Sequence, residues 1–419
     1  MAIATADPIV TRTIDGRESC ARDTRCDKAL VIGDDIGVFL SVARSLGRAG
    51  VDVDVATCGE NYPGLSSRYV QNVRILPPYL TQPSNWLAAL QALTEREEYR
   101  LIIPTSDSSL GLLALAAETI GRDKLAIPND QALAAFTSKS RTRALAASLA
   151  VKIAQGRNCV ASSEAFELFA DGPFPQVLKP SQPYVTGGRD AKTSASIVHT
   201  PEQLSTAMKK FEGREIVVEN FFAGEGVGVS VLAKRGEVRR AWQHRRLAAA
   251  GEAGRSSRRI GESPDPVLLR DVYALSRATD LTGVAMFEFR QDPATRDHIL
   301  LEVNPRFWGS LALAVSSDAD FPALLWQMLT GGSVGKAEEV PVQSIPMISL
   351  SADLDRLSDG SPGLVNSIRR SVDVIALLAR AKLSPSRFDG WAKDDPRPHW
   401  AEVGQVAARL RQAAMRRLF

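Results

Sequence analysis

The sequence predicts an α/β domain built on a parallel sheet, then an α+β domain of antiparallel strands, then a small, mainly helical C-terminal extension. Three observations carry this expectation. Apolar runs alternate with helical periodicity over residues 28–119, short strands crowd residues 175–304, and a basic amphipathic stretch closes the chain at 401–419. At 419 residues the chain exceeds one compact core and suits two to four domains of roughly 100–200 residues each.

Residues 1–27 show scattered charge without apolar periodicity and read as a flexible tail with room for a short arm. The run Lys28-Ala-Leu-Val-Ile-Gly33 is a buried strand, and Val38, Phe39, Val42 and Leu46 after it share a helical face. Val51-Asp-Val-Asp-Val55 alternates with period two, which completes a βαβ start. A helix over 86–97, a strand over 100–104 and a helix over 109–119 continue the α/β pattern to about residue 130. The turn Gly33-Asp-Asp-Ile-Gly37 lacks the Gly-x-Gly-x-x-Gly spacing, and its acidic residues would repel a pyrophosphate, so it reads as structural. From 126 to 159 the pattern is helical, with Lys139 and Arg141 opening a helix. Strands follow at 175–179, 193–198, 215–219, 226–233, 237–243, 283–290 and 298–304, interrupted by helices at 201–211 and 266–280. The expected domains are thus 28–130, 131–330 and an extension over 331–419.

Composition excludes several function classes. With 44% hydrophobic and 24% charged residues the chain is not disordered as a whole. No run of about 18 apolar residues occurs, so no membrane span is expected. Met1–Thr5 does not begin a secretory signal, and the expected location is cytoplasmic. Cys20, Cys26, Cys58 and Cys159 form no Cys-x-x-Cys pair, and only four histidines accompany them, which argues against a His/Cys metal centre. A net charge of +3 is too near balance for a chain that binds nucleic acid as a whole.

The segment richest in chemistry is Ala285-Met-Phe-Glu-Phe-Arg290 followed by Leu300-Leu-Glu-Val-Asn-Pro-Arg306. Strand alternation puts Glu302 and Asn304 on one face. The polar connection 291–297 implies a hairpin that brings Glu288 beside Glu302. Two carboxylates about 4 Å apart repel by roughly 4 kcal/mol at an effective dielectric near 20, and a cation between them removes that cost. Two glutamates and an asparagine carbonyl suit Mg²⁺ or Mn²⁺ held jointly with nucleotide phosphates. The competing interpretation is an exposed hairpin with surface glutamates. Lys179 ends a strand before the small-residue loop 181–188, and Lys139 opens a helix about forty residues earlier; either alone would be an ordinary surface lysine.

With these pieces in order, residues 28–330 resemble the ATP-grasp superfamily. The motifs are Thr137-Ser-Lys139, Val-Leu-Lys179, Val218-Glu-Asn-Phe-Phe-Ala-Gly-Glu225, Gly283-Val-Ala-Met-Phe-Glu288 and Leu301-Glu-Val-Asn-Pro-Arg306, behind a Rossmann-like pre-grasp domain. The chain looks most like the carboxylate–amine ligases of that superfamily, related to the grasp domains of biotin carboxylase and carbamoyl phosphate synthetase. The resemblance implies that Lys139 and Lys179 contact ATP phosphates. It makes Glu219, Asn220, Phe221 and Phe222 a hinge whose backbone meets the adenine edge, puts Glu225 near the ribose and packs Leu301 on the adenine. Glu288, Glu302 and Asn304 would hold Mg²⁺, and Arg306 would bind the transferred phosphate or the acceptor carboxylate. Two departures stand out. The loop after Lys179 has only two adjacent glycines and contains Pro183, and Glu225 directly follows Gly224, which makes Glu219 an alternative ribose contact.

Residues 234–259 carry nine Lys and Arg against Glu237 and Glu252, a local net of +7. One interpretation is a solvated face; the other is that Arg245 and its neighbours form a pocket for an acidic acceptor. The C-terminal Arg409, Arg411, Arg416 and Arg417 read as a solvated helix face rather than a membrane contact. The implied activity is an ATP-dependent, ADP-forming ligase that makes an acyl phosphate from a small carboxylate and joins it to a small amine. The alternatives are a bicarbonate-phosphorylating carboxylase or carbamoyl-phosphate-type synthase, and an ATP-binding protein without turnover. Nucleic acid and membrane are not expected partners, since Trp242 alone interleaves the basic stretch, and a homodimer is compatible with the fold class.

Overall fold

The computed structural model describes residues 10–13, 27–33, 36–182, 195–249, 256–335, 345–358 and 364–415. The N-terminal unit runs β1 (Val10–Thr13), β2 (Lys28–Ile32), α1 (Ile36–Arg48), β3 (Asp52–Thr57), β4 (Val70–Ile75), α2 (Pro83–Arg96), β5 (Leu101–Pro104), α3 (Asp107–Leu115) and α4 (Ala117–Ile120). Its sheet has the order β1-β4-β3-β2-β5, with four parallel strands and β1 antiparallel at the edge. Val10–Thr13 therefore forms an edge strand inside the stretch expected as a tail. Alternate residues of each central strand feed two cores, as a sheet covered on both faces requires. Val31, Val53 and Ile103 meet Phe39, Val42 and Leu46 of α1, while Leu30 and Ile102 meet Trp86, Leu90 and Leu93 of α2. β4 escapes the sequence pattern because Asn72 and Arg74 serve a buried charge: Asp54 accepts from both and from the Tyr99 hydroxyl.

The second unit begins with α5 (Asp130–Phe136), α6 (Lys139–Ser148), β6 (Gly156–Val160), α7 (Ser163–Ala170), β7 (Gln176–Pro180), β8 (Ser196–Val198), α8 (Pro201–Lys210) and β9 (Glu215–Asn220). These strands form an antiparallel sheet ordered β6-β9-β7-β8. Residues 156–159, expected to be helical, are instead strand; β6 is a mostly exposed edge, so no apolar alternation announces it. Next come β10 (Glu225–Lys234), β11 (Glu237–Ala249), β12 (Ser256–Glu262), α9 (Pro266–Ala278), β13 (Gly283–Gln291), β14 (His298–Asn304), α10 (Leu311–Ser316) and α11 (Phe321–Leu329). The extension supplies β15 (Met347–Ile348), α12 (Leu350–Ser358), α13 (Leu364–Leu383) and α14 (Arg397–Met415). It completes a second antiparallel sheet, β14-β13-β10-β11-β12-β15.

That sheet is covered on both sides. Val227, Val229, Val231, Phe287 and Phe289 pack under Leu268, Val272 and Leu275 of α9. On the other face Leu232, Trp242, Val284 and Met286 join the core that also holds α1, α10 and α11, so the two units share one apolar cluster. Beyond Trp242 and Met286 this face becomes polar, and there the site lies.

The extension is tied to both units. Arg44 of α1 donates to Asp395 Oδ2 at 2.9 Å, and Ser67 reaches the same oxygen at 2.6 Å. Arg258 of β12 donates to the fully buried Asp353 at 2.8 Å. Among the described residues no helix is long and apolar enough to cross a membrane. Arg416 and Arg417 lie outside the described residues, as do Cys20 and Cys26.

Glu402 of α14 is buried beside Asp389; burial first, then the Asp389 charge, push its carboxyl up to about 8, against hydrogen bonds from Ser351. The folded chain thus keeps a proton that the unfolded chain releases above its ordinary value near 4.5, so stability falls as pH rises through that window. Glu402→Gln should match the native chain in thermal unfolding near pH 4 and exceed it increasingly up to pH 9. A difference independent of pH would contradict this titration.

Candidate active site

Alternation along β13 sends Phe287 and Phe289 under α9 and leaves Glu288 on the opposite face. The pairing with β14 contains a bulge: Phe289 faces Leu300, yet Glu288 faces Glu302. Leu301 is the extra residue. In an unbroken register Glu302 would stand opposite Phe287 and point toward the core; the bulge turns it to the face of Glu288. Asn304, opposite Met286, lies on the same face. The hairpin expected from the sequence therefore brings the two carboxylates into direct register.

Each acid has its own cation. Lys139, the first residue of α6, approaches Glu302 Oε2 at 2.9 Å, and chiefly its charge lowers the Glu302 pKa to about 2. Glu288 is shifted the other way: burial raises it and the Glu302 charge adds to that, while Arg246, at 2.7 Å, opposes both. Arg246 reaches Glu288 across the intervening strand β10 because that strand presents glycines there. A Cβ on Gly226 would come within 2.8 Å of the Arg246 side chain, and one on Gly228 within 2.1 Å of the His244 ring. His244 fills the lane above Gly228, with Ser310 Oγ 3.2 Å from its Nδ1. Burial, then the charges of Arg246 and Arg259, depress its pKa well below the ordinary value, so the ring is neutral.

The smaller sheet supplies the facing wall. Lys179 and Glu219 share a side of β7 and β9 and form an ion pair, and Arg143 donates to the other Glu219 oxygen at 2.6 Å. The Lys179 charge is felt by both Glu288 and Glu302, so the two sheets enclose one cleft. Ser181 O accepts from the Lys139 amide at 2.7 Å, which joins the head of α6 to the end of β7. Residues 183–188 of the loop after Lys179, with Pro183 and both glycines, lie outside the described residues.

Other expected residues fall elsewhere. Arg245 points to the α9 side of the sheet, opposite to Glu288, and is held there by Glu225 and, at 2.6 Å, by Glu262. Its place in the cleft is taken by Arg246, one residue on, because alternation reverses the face. Glu225 shares the side of Arg245, which leaves Glu219 as the acid inside the cleft. The amides of Asn220 and Phe221 donate to Gln155 O and Pro175 O, so it is not through these two groups that the hinge would meet an adenine edge. The Phe221 ring lies 5.0 Å under the Arg290 guanidinium; Phe222 follows it, half-buried. Leu301, in the bulge, is half-buried, whereas its neighbours Leu300 and Val303 are core.

Arg306 has a partner that the sequence reading missed. Its Nε and Nη2 each donate to one carboxylate oxygen of Asp107, both at 2.7 Å, and Nη2 also reaches Asn304 Oδ1 at 3.1 Å. Asn304 Nδ2 donates in turn to Glu302 at 3.3 Å. Asp107 opens α3, behind a Ser106 cap, at the carboxyl end of β5. That end of a parallel strand is where α/β sheets place ligands, a signal that could have found it. Burial disfavours the Asp107 charge, but Arg306 outweighs this and holds the carboxyl below its usual range.

Among the described residues no group of three or more His, Cys, Asp or Glu side chains is arranged to hold a metal. The donor set Glu288, Glu302 and Asn304 fits Mg²⁺ shared with phosphate oxygens, an ion that is seldom caged by protein alone. The mutual repulsion of the two glutamates is what such an ion relieves.

Residues 212–351 match the family described as ATP-grasp in the biosynthetic pathway with Ter operon. No curated protein matches by sequence. Solved structures share the fold at low identity. An L-amino acid ligase from Bacillus licheniformis is 17% identical with a TM-score of 0.58, covering 74% of this chain and 75% of that one. N5-carboxyaminoimidazole synthetase from Staphylococcus aureus is 17% identical at 0.58, covering 79% and 84%. A biotin carboxylase complex from Campylobacter jejuni is 16% identical at 0.58, covering 75% and 73%. These likenesses bear out the ATP-grasp resemblance and the fold class read from the sequence.

A methyl group on residue 228 has no room while the His244 ring lies above it. Gly228→Ala should lower the free energy of unfolding by about 1–3 kcal/mol, the usual range for overpacking, in urea titration. Unchanged stability would contradict this placement of the ring.

Proposed function

We propose that this chain, which carries the ATP-grasp fold, is an ATP-dependent, ADP-forming ligase that activates a small carboxylate and joins it to an amine. The observation that carries the reading is the opposition of Glu288 and Glu302 in one register, with Lys139 on one and the Lys179 wall facing both. Lys139 and Lys179 would bind phosphate oxygens, and Glu219 the ribose hydroxyls. Glu288, Glu302 and Asn304 would hold magnesium, which supplies charge neutralisation for phosphoryl transfer. Arg306 would orient the acid, its fork matching a carboxylate or phosphate with two parallel bonds. Arg246 opposes the burial that pushes the Glu288 carboxyl toward protonation.

The chemistry follows from the leaving group. A carboxylate oxygen bonds to the γ-phosphorus as the bond to ADP breaks, giving an acyl phosphate. The amine nitrogen then bonds to the carbonyl carbon as phosphate leaves, and the nitrogen gives up a proton. No protein nucleophile is needed, so the neutral His244 acts as a spacer that holds Ser310 and the Arg306 loop. A second reading, phosphorylation of bicarbonate, is favoured by the likeness to a biotin carboxylase.

ADP release, screened over small acids singly and in pairs with amines, tests the proposal. Release should require ATP, magnesium, one acid and one amine, and Glu302→Gln should slow it by about a hundredfold or more. Release with bicarbonate and no organic acid would shift the assignment to the second reading, and release unaltered in Glu302→Gln would refute both.

A further inference from the structure

Helix α13 is apolar on two opposite faces. Toward the protein, Leu377 and Ala381 join the core of the extension with Leu350, Phe388 and Val403. A helix packed on one side normally turns charge to water on the other. Here the outward face carries Val372, Ile375 and Leu383, which are 59%, 66% and 83% exposed, with Ala376 and Ala379 exposed between them. Positions 372, 376, 379 and 383 recur at intervals of four, three and four, the seam spacing of a coiled coil. The stripe is about 17 Å long at the helical rise per residue. It lies outside residues 212–351, and none of its side chains belongs to the cleft.

We propose that this stripe is the contact with a second copy of the chain, made by two α13 helices running antiparallel about a two-fold axis between Ala376 and Ala379. The charges at its margins fix both the partner and the direction. Asp373 and Arg380 are exposed on one flank of the stripe, within about 20° of each other around the helix. An antiparallel pair brings like flanks together, so Asp373 of each copy meets Arg380 of the other, twice over by symmetry. A parallel pair would set every residue beside its own copy and leave those two charges about 10 Å apart along the axis. In the antiparallel register Val372 packs on Leu383 and Ala376 on Ala379, and the small pair at the axis lets the helices approach closely. On the other flank Ile375 lies along the aliphatic stem of Lys382. A foreign helix of one charge sign would satisfy either Asp373 or Arg380, whereas a second copy satisfies both. A contact this short buries less than about 1,200 Å² in total, which suits association in the micromolar range.

Sedimentation equilibrium of the full chain, from about 1 to about 300 μM, tests this without reference to the ligase reading. The average mass of the native protein should climb from that of one chain toward that of two. Ala379→Glu puts a charge at the axis without touching the packed face, and should hold the chain monomeric throughout. Asp373→Arg and Arg380→Asp should each weaken association by about tenfold, and the double exchange should restore it, since opposite signs then face each other again. Rescue by the double exchange separates a lost contact from a lost fold. A native chain that stays monomeric at every concentration would overturn the proposal. So would a dimer that Ala379→Glu leaves intact, or one that the double exchange fails to restore.

Discussion

Two like charges are forced together on one face of a sheet, and much of the surrounding structure can be understood as the consequence. The bulge at Leu301 sets Glu302 opposite Glu288 instead of turning it into the core. Once there, the pair needs cations from every direction. Lys139 arrives from the head of a helix, Arg246 from two strands away and the Lys179 charge from the facing sheet. The result is one acid held firmly ionised and one pushed toward protonation, an asymmetry that a divalent ion between them would erase.

Small residues make that convergence geometrically feasible. Gly226 and Gly228 clear a lane on the central strand, which the stem of Arg246 and the edge of the His244 ring fill. His244 then meets Ser310, and Arg259, next to Arg246 in register, donates to Gly309 O at 2.6 Å. Both contacts anchor the segment that carries Arg306. The C-terminal extension, clamped to α1 through Asp395 and to β12 through Asp353, backs the same corner of the molecule.

The α/β start, the strand-rich second unit and the hairpin of Glu288 and Glu302 were legible because apolar periodicity and strand alternation are local properties. Lys139 was expected at a helix start and Lys179 near a strand end, and both stand there, paired with Glu302 and Glu219. What was not legible depends on partners distant in sequence. The face of Arg245 against Arg246 turns on a single residue of register in a basic run where every position looks alike. Strand β6 is exposed, and β12 hides in a segment rich in Ser and Arg, so neither shows an apolar pattern. Asp107 sits 199 residues from Arg306, and only the packing of the two units brings them together.

The most direct test of the central claim is equilibrium binding of a non-hydrolysable ATP analogue with and without Mg²⁺, in the native chain and in a Glu288→Gln, Glu302→Gln double variant. The account predicts that Mg²⁺ tightens binding to the native chain and has little effect on the variant. The same Mg²⁺-dependent tightening in both proteins would contradict it.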